Sequence, residues 1–429
     1  MTATPLPHVA SARGSYLYDE SGRDYLDASS GVLNVNLGHG DPAVIAAITE
    51  QLGKVAFVHR SQFSSRPLRL LTEQLLAVAP VGTSHVEYAN SGSEANECAL
   101  RIALAFHHRT GSPGRTVVMS EQPSYHGMTA GALALTGQPP KVDASFAPLL
   151  TNATTADGSR VLPVPGALRA GRREWAAALD RVGRERVAAV FVEPVGGASS
   201  GAAPMDDETL RWLRAEADRS GFLVVADEVM CGFGRTGRWW GCDHAGVAPD
   251  LLTSGKGLTG GYTSLAVTMV AERVAGAFDK PLGSVVLGHT MSGNPVAAAA
   301  SLAVLHRLRA DELPARAARL GAGLAARLAV LAAQHPVVTQ VRGRGLMLAL
   351  GLDGQPEHPL AVSRALVSSA REHGLVLCPG GIDHVTESVM VAPPLTSTEG
   401  ELDELARRLD AALDTLAARM TSTVGAVPA

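Results

Sequence analysis

Short apolar runs, each closed off by glycine, proline or polar residues, recur along the first two thirds of the chain. They fall at Val86 to Ala89, Thr116 to Met119, Ala188 to Val192, Phe222 to Ala226 and Leu265 to Val270. Runs of this length without alternation read as strands covered on both faces. Between several of them the pattern changes to helical spacing. Ser93 to His108, for instance, sets Ala95, Ala99, Ile102 and Phe106 near one face. Strand and helix in alternation predict an α/β domain built on a mostly parallel mixed sheet flanked by helices.

The last third reads differently. Val337 to Leu352, Leu375 to Leu377 and Val389 to Ala392 predict strands, with a helix near Pro359 to His373. A final helix opens on Thr398 with Glu401 three residues later, followed by Leu402, Leu405, Leu409, Leu413, Leu416 and Met420 at spacings of three or four. Near the other end, Ser15 to Asp27 reads as a hairpin, with tyrosine-bearing runs on either side of Glu20-Ser21-Gly22. A hairpin needs a surface to cover, and the C-terminal lobe is the expected one. The expected division is an N-terminal segment of a small α+β domain (1–55), a large domain (56–305) and the C-terminal part of the small domain (306–429).

Composition narrows the classes. The chain has 429 residues, 46% hydrophobic and 18% charged. That length exceeds the roughly 250–300 residues one core can organise, which agrees with two lobes. Lys+Arg 37 against Asp+Glu 41 leaves −4, with no basic block, so a nucleic-acid surface is not expected. The four cysteines (Cys98, Cys231, Cys242, Cys378) are too sparse for a disulfide framework and lack metal-site spacing, so no metal is expected. Met1 to Gly14 has no apolar region of the secretory kind. The most apolar stretch, Pro295 to Leu305, is too short to span a bilayer. A cytoplasmic protein without membrane contact is expected.

Three segments carry candidate chemistry. Phe222 to Val229 is an apolar strand running into Asp227 and Glu228, and ligands of open α/β sheets sit at that end of the strands. Lys256 stands between Gly255 and Gly257 after another apolar run. Lysines number only four, with Lys54, Lys141 and Lys280 the others. A desolvated lysine loses its proton more readily and attacks carbonyls as the free amine. Asn90-Ser91-Gly92-Ser93-Glu94-Ala95-Asn96 joins a strand to a helix with small residues and hydroxyls, a cradle for an anion at a helix N-terminus. It is neither a P-loop nor a dinucleotide fingerprint. Alone, each segment has a bland reading as a cap, a loop acid or a solvated lysine. Together they supply a phosphate anchor, an acid for a pyridine nitrogen and an imine-forming amine, the needs of pyridoxal 5′-phosphate.

With Leu37-Gly38-His39, Tyr125-His126-Gly127, Glu193-Pro194, Gly232 to Gly237 and Ala392-Pro393-Pro394-Leu395, the order of motifs from about Tyr16 to Met420 resembles the class III (ω-amino-acid type) aminotransferases of fold type I. The resemblance implies that Lys256 binds the cofactor aldehyde and shuttles a proton, while Asp227 pairs with the pyridine nitrogen. It also implies that Ser91, Gly92 and Ser93 hold the phosphate, Tyr125 stacks on the ring, Val229 lies against the other face and Glu193 stands close by. His126 is either a cofactor neighbour or a packing residue beside Gly127. His289-Thr290 resembles the motif whose threonine reaches the neighbouring subunit's phosphate, which implies a homodimer with shared active sites. The implied reaction moves an amino group from an amine or ω-amino donor to a keto acid or aldehyde in two half-reactions.

The familiar carboxylate clamps are missing. Relatives of the ornithine type carry arginine where Met390 stands, and some pyruvate-using relatives carry one where Cys378 stands. The other lysines cannot replace an arginine fork without special placement. A largely uncharged donor site is expected, with Phe63 and Met390 facing it and Arg60 in the substrate-lining segment. A racemase, a decarboxylating transaminase or an aminomutase would share the Asp227 and Lys256 machinery. A non-catalytic binder would have no need of both residues, and a nicotinamide dehydrogenase would need the missing glycine fingerprint.

Overall fold

The computed structural model describes residues 6–146, 150, 161–278 and 288–424. Lys280 and the tail from Gly425 lie outside them. The first strands are β1 (Val9–Arg13), β2 (Tyr16–Asp19), β3 (Asp24–Asp27), β4 (Thr83–Ala89) and β5 (Val117–Gln122). They are followed by β6 (Val161–Pro165), β7 (Val187–Val192), β8 (Leu223–Asp227), β9 (Leu251–Ser254) and β10 (Ala266–Ala271). The last are β11 (Val338–Arg344), β12 (Met347–Leu352), β13 (Leu375–Val376), β14 (Cys378–Gly380) and β15 (Ser388–Val391).

The large sheet has the order β4-β10-β9-β8-β7-β5-β6. The β5–β6, β5–β7, β7–β8 and β8–β9 pairs are parallel, and β10 runs antiparallel to both β4 and β9. Every residue of β7 and β8 is buried. Along β7, Val190 and Val192 enter one apolar cluster while Ala189 and Phe191 enter another, so successive side chains fill opposite faces. The helix Gly92–Arg109 covers one face through Ala99, Ile102 and Ala103. Helices Arg172–Val182 and Asp207–Ser220 cover the other through Trp175, Leu179, Leu210 and Leu213. Fully burying an aliphatic side chain of this size contributes about 1.5–3 kcal/mol, which explains runs without polar alternation.

The C-terminal lobe holds an antiparallel sheet, β11-β12-β15-β14, with the helices Leu313–Gln334, Ala361–Glu372 and Glu399–Val424. The expected hairpin is present as β2 and β3, and it does find the C-terminal part. β13 extends β3 in parallel with Leu26 opposite Leu375, completing the sheet β1-β2-β3-β13. Tyr16 donates to Glu404 Oε2 at 3.2 Å, tying the hairpin to the last helix. No helix among the described residues is long and apolar enough to cross a membrane.

Candidate active site

Parallel strands end on the same edge of a sheet, so residues that follow them are gathered without being neighbours in sequence. Here that edge collects Asn90 after β4, Tyr125 after β5, Glu193 after β7, Asp227 at the end of β8 and Lys256 after β9. β10 runs the other way, so its beginning, Thr263 to Leu265, reaches the same place. They line a cavity of about 720 Å³. Small-molecule sites commonly occupy about 300–1000 Å³. Ser91, Gly92, Ser93, Tyr125, His126, Glu193, Asp227, Val229 and Lys256 all line it.

Lys256 opens a short turn, Lys256–Leu258, in the left-handed region at φ +40°. That conformation is uncommon for a residue with a Cβ and persists only where the surroundings impose it. The next residue, Gly257, lets Asn36 pack close against the turn, because a Cβ there would come 2.3 Å from Asn36 Nδ2. Burial holds the Lys256 amine below its ordinary pKa, against the opposing pull of Asp227 and Glu193. The result is an amine that gives up its proton more easily than a surface lysine.

Asp227 is buried and held from several sides. Its Oδ2 accepts from Asn96 Nδ2 at 2.7 Å and lies 2.8 Å from His126 Nδ1, while Oδ1 accepts from Val229 N at 3.0 Å. An ionised carboxylate offers roughly four acceptor positions, so a direction remains for one further donor. Burial lowers the His126 pKa, but the hydrogen bond and charge of Asp227 outweigh it and raise the net value. His126 is thus both a packing residue, edge-on to Phe191 with centroids 5.8 Å apart, and a partner of the acid.

The cradle is equally specific. Ser91 caps the helix Gly92–Arg109, accepting from Glu94 N at 3.2 Å, and Ser93 Oγ accepts from Met128 N at 3.1 Å. A Cβ on Gly92 would lie 2.8 Å from Val229 Cγ1, and one on Gly127 would lie 2.5 Å from Ser93 Oγ. Only glycine lets these walls approach so closely. Glu193 sits deep in the cavity wall, its Oε1 accepting from Gly197 N at 3.1 Å, and burial lifts its pKa to about 7.

Four expected residues lie elsewhere. Met390 is fully buried in an apolar cluster with Leu33, Cys231, Met347 and Ala349. It sits between β12 and β14, and its side chain fills the core rather than facing the cavity. Phe63 is 67% exposed. Arg60 reaches over the Tyr88 ring at 6.0 Å and donates to Ser292 O at 3.3 Å. Thr290 is exposed, beside His289, whose Nε2 lies 3.7 Å from Glu94 Oε2. None of the four lines the cavity of its own chain.

Other residues have roles that only the folded chain displays. Asn96, one turn into its helix, bridges Asp227, the His126 carbonyl and Thr253 Oγ1 at 2.7 Å each. Glu228 turns away from the cavity and accepts from Gly241 N at 2.7 Å, Cys242 N at 2.8 Å and Cys231 Sγ at 2.9 Å. Arg235 is fully buried, donating to Pro393 O and Asn36 Oδ1 at 2.6 Å. It thereby pins the Gly232 to Gly237 loop to both the N-terminal segment and the Ala392-Pro393-Pro394-Leu395 element, and burial lowers its pKa to about 9. Lys141 lines the cavity, which the sequence did not suggest.

A cavity that gathers an acid, a lysine and a small-residue cradle suits a phosphorylated, aldehyde-bearing ring. The class-III aminotransferase family matches residues 2–413, and the chain belongs to it. An acetylornithine aminotransferase of Mycolicibacterium smegmatis is 36% identical, with 96% of this chain and 95% of that protein covered. A transaminase of the marine bacterium Virgibacillus superposes with a TM-score of 0.89 at 28% identity, covering 98% and 95% of the two chains. An amine transaminase from an uncultivated Pseudomonas species, solved in its pyridoxal-phosphate-bound form, gives 0.86 at 31% identity and 97% of each chain. The chain is a pyridoxal-phosphate-dependent aminotransferase. The glycine-lined cradle, the remaining acceptor direction on Asp227 and the depressed amine of Lys256 fit that cofactor.

Proposed function

We propose that the protein transfers an amino group from an amine or ω-amino donor to a keto acid or aldehyde, in two half-reactions that use one cavity. The observation that carries this reading is the convergence of Lys256, Asp227 and the Ser91–Ser93 cradle on that cavity from separate strand ends. Ser91, Gly92 and Ser93 would hold the cofactor phosphate, Tyr125 and Val229 would flank its ring, and Glu193 and His126 would stand at its edge. Pyridoxal phosphate supplies a ring that draws electrons from the carbon bearing the substrate nitrogen.

The protein's own part is to place protons. Asp227 is braced by Asn96, His126 and the Val229 amide and would keep a proton on the pyridine nitrogen. Lys256 would hold the cofactor aldehyde and, as a free amine, would move a proton from the donor carbon to the cofactor in one half-reaction and from the cofactor to the acceptor carbon in the other. Its depressed pKa favours the form that accepts a proton. Borohydride reduction of the holoenzyme followed by peptide mass spectrometry should place the covalent adduct on Lys256. An adduct on Lys54, Lys141 or Lys280, or none, would refute the assignment.

The same reading makes the protein a homodimer. Arg60 and the 289–292 turn adjoin through the Arg60–Ser292 hydrogen bond. In the chain on either side of Arg60 and within the turn, Phe57, Phe63 and Met291 are 44%, 67% and 49% exposed. Large apolar side chains exposed together favour a covering partner. Thr290, Arg60 and Phe63 would then serve the partner's cavity, which accounts for their distance from their own.

A further inference from the structure

One cation in the cavity has no task in the chemistry above. Lys141 closes the short turn Pro139–Lys141, and its Nζ lies 5.5 Å from the centroid of the Tyr125 ring. The base of this turn is fixed: Gln138 is buried and hydrogen-bonded to Ser199, and Lys141 N donates to Gln138 O at 2.9 Å. Among the described residues no carboxylate pairs with its head, which rests over the Tyr125 ring, and Asp143 turns its carboxylate to Ser145 N at 2.8 Å. An ammonium over an aromatic face has a weak resting place that a carboxylate readily outbids.

The remaining charges leave few alternatives. Among the described residues of the same chain that line the cavity there is no arginine, and Arg60, which a partner would bring, is already held by Ser292 O and the Tyr88 ring. His126 is engaged by Asp227, and Lys256 is committed to the cofactor. Met390 and Cys378 occupy the positions where arginine would otherwise clamp a carboxylate, and Met390 is turned into the core. We propose that Lys141 is the specificity-determining cation that receives the carboxylate of the keto acid acceptor, resting over Tyr125 when an uncharged amine occupies the cavity. The inference builds on the aminotransferase assignment. A flexible point charge suits a cavity that must admit acidic and neutral substrates in turn, whereas a rigid guanidinium fork would favour one acid in one pose.

The test uses holoenzyme with Lys141→Met and Lys141→Arg. With pyruvate as acceptor, Lys141→Met should raise KM about tenfold with kcat little changed, while KM for the neutral acceptor propanal stays within about twofold. Lys141→Arg should retain most of the pyruvate affinity. Calorimetric binding of propionate, a carboxylate that cannot react, should weaken in parallel. An unchanged pyruvate KM, an equal loss on both acceptors, or cofactor lost more readily on dialysis (a phosphate contact instead) would each overturn the proposal. Failure of the unaltered enzyme to aminate either acceptor would count against the proposed reaction, not against Lys141.

Discussion

At the scale of single residues, the cavity is an arrangement of displaced ionisation equilibria. Glu193 is the clearest instance, its pKa lifted from 4.5 to about 7 by burial. Below pH 4.5 the folded and unfolded chains both keep its proton. Between pH 4.5 and about 7 the unfolded chain loses that proton first, so stability falls as pH rises through this window and is level above it. Glu193→Gln keeps an acceptor for Gly197 N but cannot ionise. Relative to wild type it should therefore gain stability across that window, on the order of 3 kcal/mol, and show a constant difference at higher pH. Urea unfolding at a series of pH values measures it; a difference independent of pH would show that the carboxyl ionises normally. The residues of this kind were legible in the sequence because their chemistry is rare: a glycine-flanked lysine, an acid ending an apolar strand, hydroxyls beside a glycine. Asn96 and Lys141 were not, since asparagine in a helix and lysine in a turn are common and only tertiary placement gives them partners.

At the scale of elements, burial explains both what could be read and what could not. β4, β5, β7, β8 and β10 announce themselves because both faces are packed. β1 is mostly exposed and β6 contains two prolines, so neither shows the pattern. β9 is buried throughout but ends in Thr253 and Ser254, which read as a loop before Lys256. The same burial hides the facing of Met390: β15 is buried at every position, so neither alternation nor analogy tells which side chains face the cavity. The last helix was fully legible. Thr398 Oγ1 accepts from Glu401 N at 3.2 Å while Thr398 N donates to Glu401 Oε2 at 2.7 Å, and Leu402, Leu405, Leu409 and Leu413 are fully buried. Thr398→Ala should cost about 1 kcal/mol in chemical denaturation and leave the cofactor spectrum unchanged. A loss several times larger would mean that the residue supports more than the helix end.

At the scale of the whole molecule, the cavity is assembled from distant parts of the chain. Val32 and Asn34 from the N-terminal segment line the cavity together with the sheet edge, and Arg235 locks that segment in place. Thr290, by contrast, is exposed next to His289, close enough to the Ser91–Ser93 cradle for His289 to approach Glu94 at 3.7 Å. Two twofold-related copies meeting here would bring both cradles near the axis and let each Thr290 reach across it. Mixing two defective variants separates this from a threonine that serves its own cavity. Lys256→Ala abolishes its own site but still offers an intact Thr290, and Thr290→Asp places a repelling charge beside a phosphate while keeping an intact Lys256. If Thr290 acts across the interface, half of randomly reassorted dimers contain one complete site of two, so the refolded mixture should recover about a quarter of wild-type activity. If Thr290 acts within its own chain, no pairing completes a site and the mixture stays as inactive as its parts.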